Sequence, residues 1–106
     1  MTSPKRRESY RGGGVYALRH PQTGQVMRVG RTNDLERRRK EHGREPELRA
    51  FDFEDVYQCD SHPARRGLEQ LIHEAYDPPL DKIAPLSEKN PRRKKYLAAA
   101  RRFLQA

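Results

Sequence analysis

Arginine and histidine side chains recur at helical spacing in the segment that follows residue 33. The positions i, i+3, i+4 and i+7 are held by Leu35, Arg38, Arg39 and His42. Such positions share one face of a helix and normally point at a core, yet only one of the four is apolar, so the helix is expected to border a polar cleft or to lie open to water. A guanidinium binds phosphate through two hydrogen bonds, which favours Arg38 or Arg39 as a phosphate ligand. His42 either holds a phosphate and assists proton transfer or is a solvated histidine near the helix end.

A carboxylate lies beside the apolar face of the next predicted helix. Glu69 follows Leu68 and is therefore about 100° around the helix from it, at the edge of the buried face. A hard cation such as Mg²⁺ prefers carboxylate oxygen and keeps several of its waters, which makes Glu69 a candidate metal ligand. The alternative is an ordinary glutamate that flanks the core on a surface helix.

The charge balance indicates a polyanionic partner. Lys and Arg number 23 against 15 Asp and Glu, which gives a formal net charge of +8 and an isoelectric point near 10.1. Nucleic acid is the leading candidate for a small basic domain, and the simpler alternative is that the surplus charge serves solubility alone. The basic runs at 37–40 and 92–95 are likewise phosphate contacts or solvated helix faces, depending on whether they surround a site.

Length and composition limit the chain to one modest core. It has 106 residues, 33% of them hydrophobic, and a mean hydropathy of −1.19. No run approaches the roughly 20 apolar residues of a membrane span, and no apolar stretch follows the basic first residues as in a secretory signal. The single Cys59 has no partner for an internal disulfide. We expect a flexible basic lead-in over residues 1–13, one domain over residues 14–106, and a fold that tolerates reducing cytoplasm.

Three short strands are predicted from the spacing of apolar residues and turns. They span residues 15–19, 25–30 and 51–57, and a turn containing Pro and Gly at 20–24 joins the first two into a hairpin. In the second strand Met27 and Val29 are expected on one face. Val26 and Arg28 are expected on the other face.

Three helices are predicted, at residues 34–42, at residues 63–76, and from residue 91 onward. Asn33 is the expected cap of the first helix, Glu36 would complete a capping box, and Gly43 ends the helix. Asn90 is the expected cap of the last helix, with Pro91 as its first residue. The order strand, strand, helix, strand, helix, helix predicts an α+β fold, a small three-stranded antiparallel sheet flanked by helices.

The ordered set of motifs resembles the signature of GIY-YIG nucleases. It comprises Gly14-Val15-Tyr16, Arg28-Val29-Gly30-Arg31-Thr32, Asp34-Leu35-Glu36-Arg37-Arg38, His42 and Gly67-Leu68-Glu69-Gln70-Leu71. The likeness covers about residues 13–100, and residues 78–97 are similar to the C-terminal part of toxin-type members of that family.

The resemblance implies a role for each candidate side chain. Tyr16 would orient or deprotonate an attacking water, although a strand aromatic that only packs against helices is the alternative. Arg38, rather than Arg39, would stabilise charge on the phosphate, and His42 would assist there. Glu69 would bind Mg²⁺ or Mn²⁺, because a divalent ion neutralises charge on the phosphoryl oxygens and lowers the pKa of a bound water.

Two residues depart from the family pattern. Arg28 stands where the second motif usually carries a tyrosine, which removes a phenol from the cleft and supplies a guanidinium that can hold a phosphate. Asp81 stands where many relatives carry asparagine, and it is either a second acidic contact or simply a loop residue. Asn90 matches the late asparagine of the family, but its predicted cap position explains it.

We therefore expect a metal-dependent endonuclease that hydrolyses DNA. The expected nucleic-acid contacts are Arg28, Arg31, Arg37, Arg39 and Lys40. The likeness to toxin-type members implies a domain that acts in the cytoplasm, its own or that of a rival cell into which it is delivered, and an acidic immunity protein that covers the cleft. The alternatives are a degenerate nuclease fold that binds nucleic acid without cutting it, which Arg28 keeps open, and a basic structural protein.

Overall fold

The computed structural model describes residues 12–81 and 83–106, and these form a three-stranded antiparallel sheet flanked by three helices. In chain order the elements are β1 (Gly14–Arg19), β2 (Val26–Thr32), α1 (Leu35–Arg44), β3 (Asp52–Gln58), α2 (His62–Tyr76) and α3 (Arg93–Gln105). The predicted α+β fold is confirmed. Of the predicted lead-in, only Gly12 and Gly13 are among the described residues, and their carbonyls accept hydrogen bonds from the backbone of Leu35 and Cys59. None of the described helices combines the length and the apolar character needed to cross a bilayer.

β1 is the central strand, and side chains on both of its faces are buried. The sheet order is β2-β1-β3, with both pairs antiparallel. Because successive side chains of a strand point to opposite faces, Val15 and Ala17 join a core with α2 and α3. Tyr16 and Leu18 join a second core, which includes Leu35 of α1. The candidate tyrosine therefore lies on the α1 side of the sheet.

A bulge in the hairpin changes the face of one residue of β2. Leu18 pairs with Arg28 whereas Arg19 pairs with Val26, so one residue of β2 has no partner across the ladder. Such a bulge shifts the alternation of side chains by one position. Val26 consequently lies in the same core as Val29, and the prediction that these two residues occupy opposite faces is wrong.

The cap of α1 is one residue later than predicted. The Asp34 carboxylate accepts a hydrogen bond from the backbone of Arg37 at 3.0 Å, so Asp34 is the cap and no capping box with Glu36 forms. Asn33 instead accepts a hydrogen bond from the Arg37 guanidinium at 2.9 Å. Both Asn and Asp favour this position, and sequence preference does not choose between neighbours of that kind.

The last helix also begins later than predicted. α3 starts at Arg93, and Arg92 holds the cap position without a side-chain cap bond. Asn90 forms the turn that precedes the helix, since its side chain accepts a hydrogen bond from the backbone of Arg92 at 2.8 Å. Asn90 and Pro91 therefore lead into α3 rather than begin it.

The segment between α2 and α3 is fastened at both of its ends. The backbone of Leu80 donates to the carbonyl of Met27 on the outer edge of β2. Leu86 is fully buried, and its backbone N–H donates to the Gln70 side chain at 3.0 Å. The Leu86 carbonyl accepts from the Arg93 guanidinium at 2.6 Å, which ties the segment to α3. This segment forms one side of the cleft described next.

Candidate active site

An open cleft of about 680 Å³ runs along β2, between the strand and the helices. Residues from β1, β2, α1, α2 and the segment after α2 line it. They are Tyr16, Arg28, Val29, Gly30, Arg31, Thr32, Asn33, Arg37, Arg38, His62, Arg65, Glu69, Asp81, Ile83 and Pro85. Tyr16, Arg38 and Glu69, which are separated in sequence, thus share one cavity.

The position of Tyr16 depends on a glycine opposite it. Tyr16 pairs with Gly30 across the β1–β2 ladder, and a Cβ added to Gly30 would overlap the Tyr16 ring. The ring can therefore cross the backbone of β2 and place its hydroxyl at the cleft. On its other side the ring stacks on Phe53 of β3, with centroids 4.8 Å apart and planes 15° apart. These contacts fix the phenol before any substrate binds.

Arg38 is held against that phenol. Its Nε donates a hydrogen bond to the Tyr16 hydroxyl at 3.0 Å, and its Nη1 donates to the Glu45 carboxylate at 2.9 Å. The bond to Tyr16 is the main cause that raises the pKa of Arg38, with a contribution from Glu45. Since the Tyr16 oxygen accepts this bond, its own proton is available for donation to a ligand. Among the described residues, Arg38 Nη2 has no hydrogen-bond partner.

Glu69 extends from α2 toward the same cleft and is buried. Its side chain is 10% exposed, and its Oε1 accepts a hydrogen bond from Arg31 Nη1 at 2.6 Å. Burial raises the pKa of Glu69 above its ordinary value of 4.5, Arg31 opposes this effect, and the charge of Asp81 adds to it. A buried carboxylate near a second negative charge favours a cation beside it.

The two residues that depart from the family pattern lie together. Arg28 Nε is 3.6 Å from Asp81 Oδ1, and both residues line the cleft. Asp81 Oδ2 also accepts a hydrogen bond from the backbone of Val29 at 2.8 Å, on the outer edge of β2. Asp81 is therefore a loop residue that fastens the strand edge while adding negative charge to the cleft.

The donor set suits a hard divalent cation. No group of three or more His, Cys, Asp or Glu able to hold a metal occurs in residues 12–81 and 83–106. Mg²⁺ is commonly bound by one or two carboxylates together with waters and substrate phosphate oxygens. Glu69, with Asp81 nearby, fits that pattern. A cation at Glu69 would share or replace the contact with Arg31.

Three predicted site residues lie away from this cleft. His42 is 5% exposed, and its Nε2 is 2.6 Å from the Leu48 carbonyl, so the expectation of a solvated histidine is wrong. Arg39 lies over Phe53, with Cζ 4.6 Å from the ring centroid, and pairs with Asp55 at 2.8 Å. Lys40 is exposed on α1 and does not line the cleft. Of the two arginines proposed as the phosphate ligand, only Arg38 lines the cleft.

Two cleft residues were not predicted from the sequence. His62 and Arg65 line the cleft beside Arg31 and Arg37, which were predicted as contacts. His62, Arg65 and Glu69 occupy positions i, i+3 and i+7 of α2, which share one face of a helix. The same helical spacing, followed from Glu69 toward the start of α2, identifies both residues in the sequence.

A comparison with protein-family models gives one match. The model described as the T5orf172 domain matches residues 13–97, a range that includes the sheet, α1, α2 and the start of α3. No curated protein and no solved structure gives a significant match.

Proposed function

This chain belongs to the T5orf172 domain family, and from that premise we propose that it is a metal-dependent endonuclease that hydrolyses phosphodiester bonds in DNA. The family is associated with nuclease-type modules of GIY-YIG-like and HNH-like kinds. One observation carries the proposal: Tyr16, Arg38 and Glu69 line the same cleft. A phenol, a guanidinium and a buried carboxylate are the groups that phosphodiester hydrolysis by the GIY-YIG scheme requires.

Each of the three side chains has a separate role in this scheme. Arg38 places a permanent positive charge where the phosphoryl oxygens become more negative, and it is preorganised by Tyr16 and Glu45. Tyr16 orients the attacking water, or takes its proton once the phenol has released its own proton to solvent. Glu69 would hold Mg²⁺ or Mn²⁺, which when bound supplies charge neutralisation and a more acidic water. Arg31, released from Glu69, would remain in the cleft as a further phosphate ligand.

The surrounding charge supports a nucleic acid as the substrate. Five arginines line the cleft against two acidic residues, and the whole chain carries a net charge of +8. Positive charge along a groove attracts the phosphate backbone without regard to base sequence.

Supercoiled plasmid incubated with the protein and Mg²⁺ or Mn²⁺ is the first test. We expect nicking and linearisation that EDTA stops. Glu69→Gln and Arg38→Lys should each slow cutting about 10²- to 10³-fold, the usual cost of removing a group that stabilises transition-state charge. Glu47→Gln and Arg49→Lys are matched controls, because both parent residues are exposed and lie outside the cleft, and they should cut at the wild-type rate.

The same gel separates the proposal from its alternative. Arg28 stands where the GIY-YIG pattern carries a tyrosine and is paired with Asp81, which favours a module that binds without cutting. Plasmid that is retarded but never cut in either metal would establish that alternative. Cutting that persists in EDTA and in Glu69→Gln would contradict the metal mechanism.

The toxin role is a further proposal that rests on the likeness of residues 78–97 to toxin-type members. A delivered nuclease would be neutralised by an immunity protein, and the basic cleft suits an acidic one. Expression in the bacterial cytoplasm should then stop growth for the wild type and not for Glu69→Gln. Normal growth with a chain that cuts plasmid in vitro would contradict the toxin role alone.

A further inference from the structure

The two ends of the cleft differ in charge. At one end Arg28 is paired with Asp81, so the positive charge there is compensated. At the other end lie Arg65, His62 and Arg37. Arg37 pairs at 3.7 Å with Glu41 of its own helix, which does not line the cleft. We propose that this basic end is a subsite for a second phosphate of the bound strand, which positions the strand while the scissile phosphate lies at Tyr16 and Arg38. This proposal rests on the proposed function to the extent that the cleft binds nucleic acid.

Contacts around the end of β2 place the basic residues together. A Cβ added to Gly13 would lie close to Arg65 Nη1, to the Thr32 carbonyl and to Asn33 Cα, so the Arg65 guanidinium lies beside the last residues of β2. The Arg37 guanidinium reaches the same point from α1, since its Nη2 donates to the Asn33 side chain at 2.9 Å. Two cations from different helices therefore flank one end of the strand.

Helix geometry separates this end from the candidate catalytic groups. His62 and Glu69 share one face of α2, and seven residues of rise place them about 10 Å apart along its axis. This distance is longer than a single phosphate group. A phosphate near Glu69 is therefore not the one that His62 contacts. His62 faces a neighbouring phosphate of the same strand.

Arg65 lacks a counter-ion although it is nine-tenths buried. Its Nη1 donates to the carbonyl of Cys59 at 3.1 Å. The salt bridges found among the described residues do not include Arg65. A buried guanidinium without a carboxylate is costly, and a phosphate at its free edge would compensate the charge.

His62 is the group that would report on such a phosphate. It is exposed at the start of α2, and its ring meets the Tyr96 ring of α3 edge-on, with centroids 6.1 Å apart. Partial burial lowers the pKa of His62, and the charges of Arg31, Arg65 and Arg66 lower it further. A phosphate bound among these cations would offset their repulsion and favour the protonated imidazole.

The test is an NMR titration of the histidine ring signals with and without a short DNA duplex, in EDTA so that no metal-dependent cutting occurs. We expect the pKa of His62 to rise when DNA binds, with its signal assigned by its loss in His62→Gln. His20 lies in the β1–β2 turn outside the cleft, so its pKa should stay unchanged and serves as the internal control. An unchanged His62 pKa in saturating DNA, or an equal rise at His20, would overturn the subsite.

A binding measurement complements the titration. His62→Gln should weaken DNA binding roughly two- to tenfold, as expected for the loss of one hydrogen bond, whereas His20→Gln should not. Equal affinities for the two variants would count against the subsite. Neither measurement requires cutting: a chain that passes both tests but leaves plasmid intact refutes the endonuclease and keeps the subsite. A chain that cuts plasmid but fails both tests refutes only the subsite.

Discussion

At the scale of single residues, Tyr16 and Arg38 are positioned by each other as much as by the backbone. The 3.0 Å bond from Arg38 Nε to the Tyr16 hydroxyl, and the stacking of Tyr16 on Phe53, exist without a ligand. Groups that are already oriented need no rearrangement as charge develops on a substrate. Gly30 is part of this arrangement, because any side chain there would displace the phenol.

The positions of the candidate site residues on α1 were not all equally predictable from the sequence. The spacing on α1 narrowed the phosphate ligand to Arg38 or Arg39, and the family resemblance selected Arg38. The structure separates the two residues by position, since Arg39 pairs with Asp55 of β3. The burial of His42 was not predicted, for a different reason. Its partner is the carbonyl of Leu48, which lies between α1 and β3 in a segment without periodic structure, where patterns of spacing carry no information.

The raised pKa of Glu69 predicts how metal binding depends on pH. A cation needs the carboxylate, so Mn²⁺ affinity falls as pH is lowered through this pKa, and the fall begins at a higher pH than for an exposed glutamate. Arg31 lowers this pKa, so Arg31→Gln should move the curve to still higher pH. Mn²⁺ binding followed by electron paramagnetic resonance checks this. Arg37→Gln, in the same cleft but without contact to Glu69, is the control, and coincident curves for wild type and Arg31→Gln would contradict the prediction.

The same pKa has a consequence for stability. A carboxyl whose folded-state pKa is raised stabilises the fold in its protonated form, so its contribution is lost as pH rises through the interval above 4.5. Glu69 therefore contributes less to stability at neutral pH than at acidic pH.

At the scale of elements, the spacing of apolar residues predicted which segments form helices and strands. It was less successful in predicting where a helix begins and which face of a strand is buried. An apolar stripe is defined by many residues over several turns, whereas a helix cap depends on one hydrogen bond. In α1 that bond is made by Asp34 rather than by Asn33. The face of Val26 depended on a bulge that only the pairing register reveals. Leu86 is fully buried in a segment with no helical or strand pattern, so no periodicity marked it as core.

The space around two helical glycines predicts opposite effects for their substitution by alanine. A Cβ at Gly67 would overlap the Tyr96 carbonyl, so Gly67→Ala should force the helices apart and destabilise by about 1–3 kcal/mol. Gly43 lies in the last turn of α1 with nothing within 4 Å of an added Cβ. Gly43→Ala should therefore stabilise by about 0.4–1 kcal/mol. Thermal unfolding of both variants measures this, and shifts of the same sign would contradict the packing described.

At the scale of the whole molecule, the positive charge is not uniformly available to a ligand. Arg39 and Arg28 pair with largely buried carboxylates from other parts of the chain, Asp55 and Asp81. Arg37 lines the cleft, and its ion pair is with the half-exposed Glu41 of its own helix, at 3.7 Å. The net charge of +8 predicted a polyanionic partner, but the sequence did not indicate which arginines are already paired. Such pairing depends on contacts between elements distant in the chain.

This difference predicts how DNA affinity responds to salt. Affinity for a short duplex in EDTA should fall steeply between about 50 and 200 mM salt. Arg37→Gln should reduce the slope of log affinity against log salt by about 0.9, the value for one phosphate contact. Arg39→Gln removes the same formal charge outside the cleft and should leave the slope near that of the wild type. Equal reductions in both variants would indicate that overall charge, rather than the cleft, determines binding.

The outer edge of β2 is partly occupied, which limits how another protein could block this cleft. The backbone of Leu80 and the carboxylate of Asp81 already bond to Met27 and Val29 along that edge. An inhibitor is therefore not expected to attach there by donating a strand to the sheet, a common route of protein recognition. It would instead bind across the open face of the cleft, with its carboxylates contacting the arginines in place of phosphates.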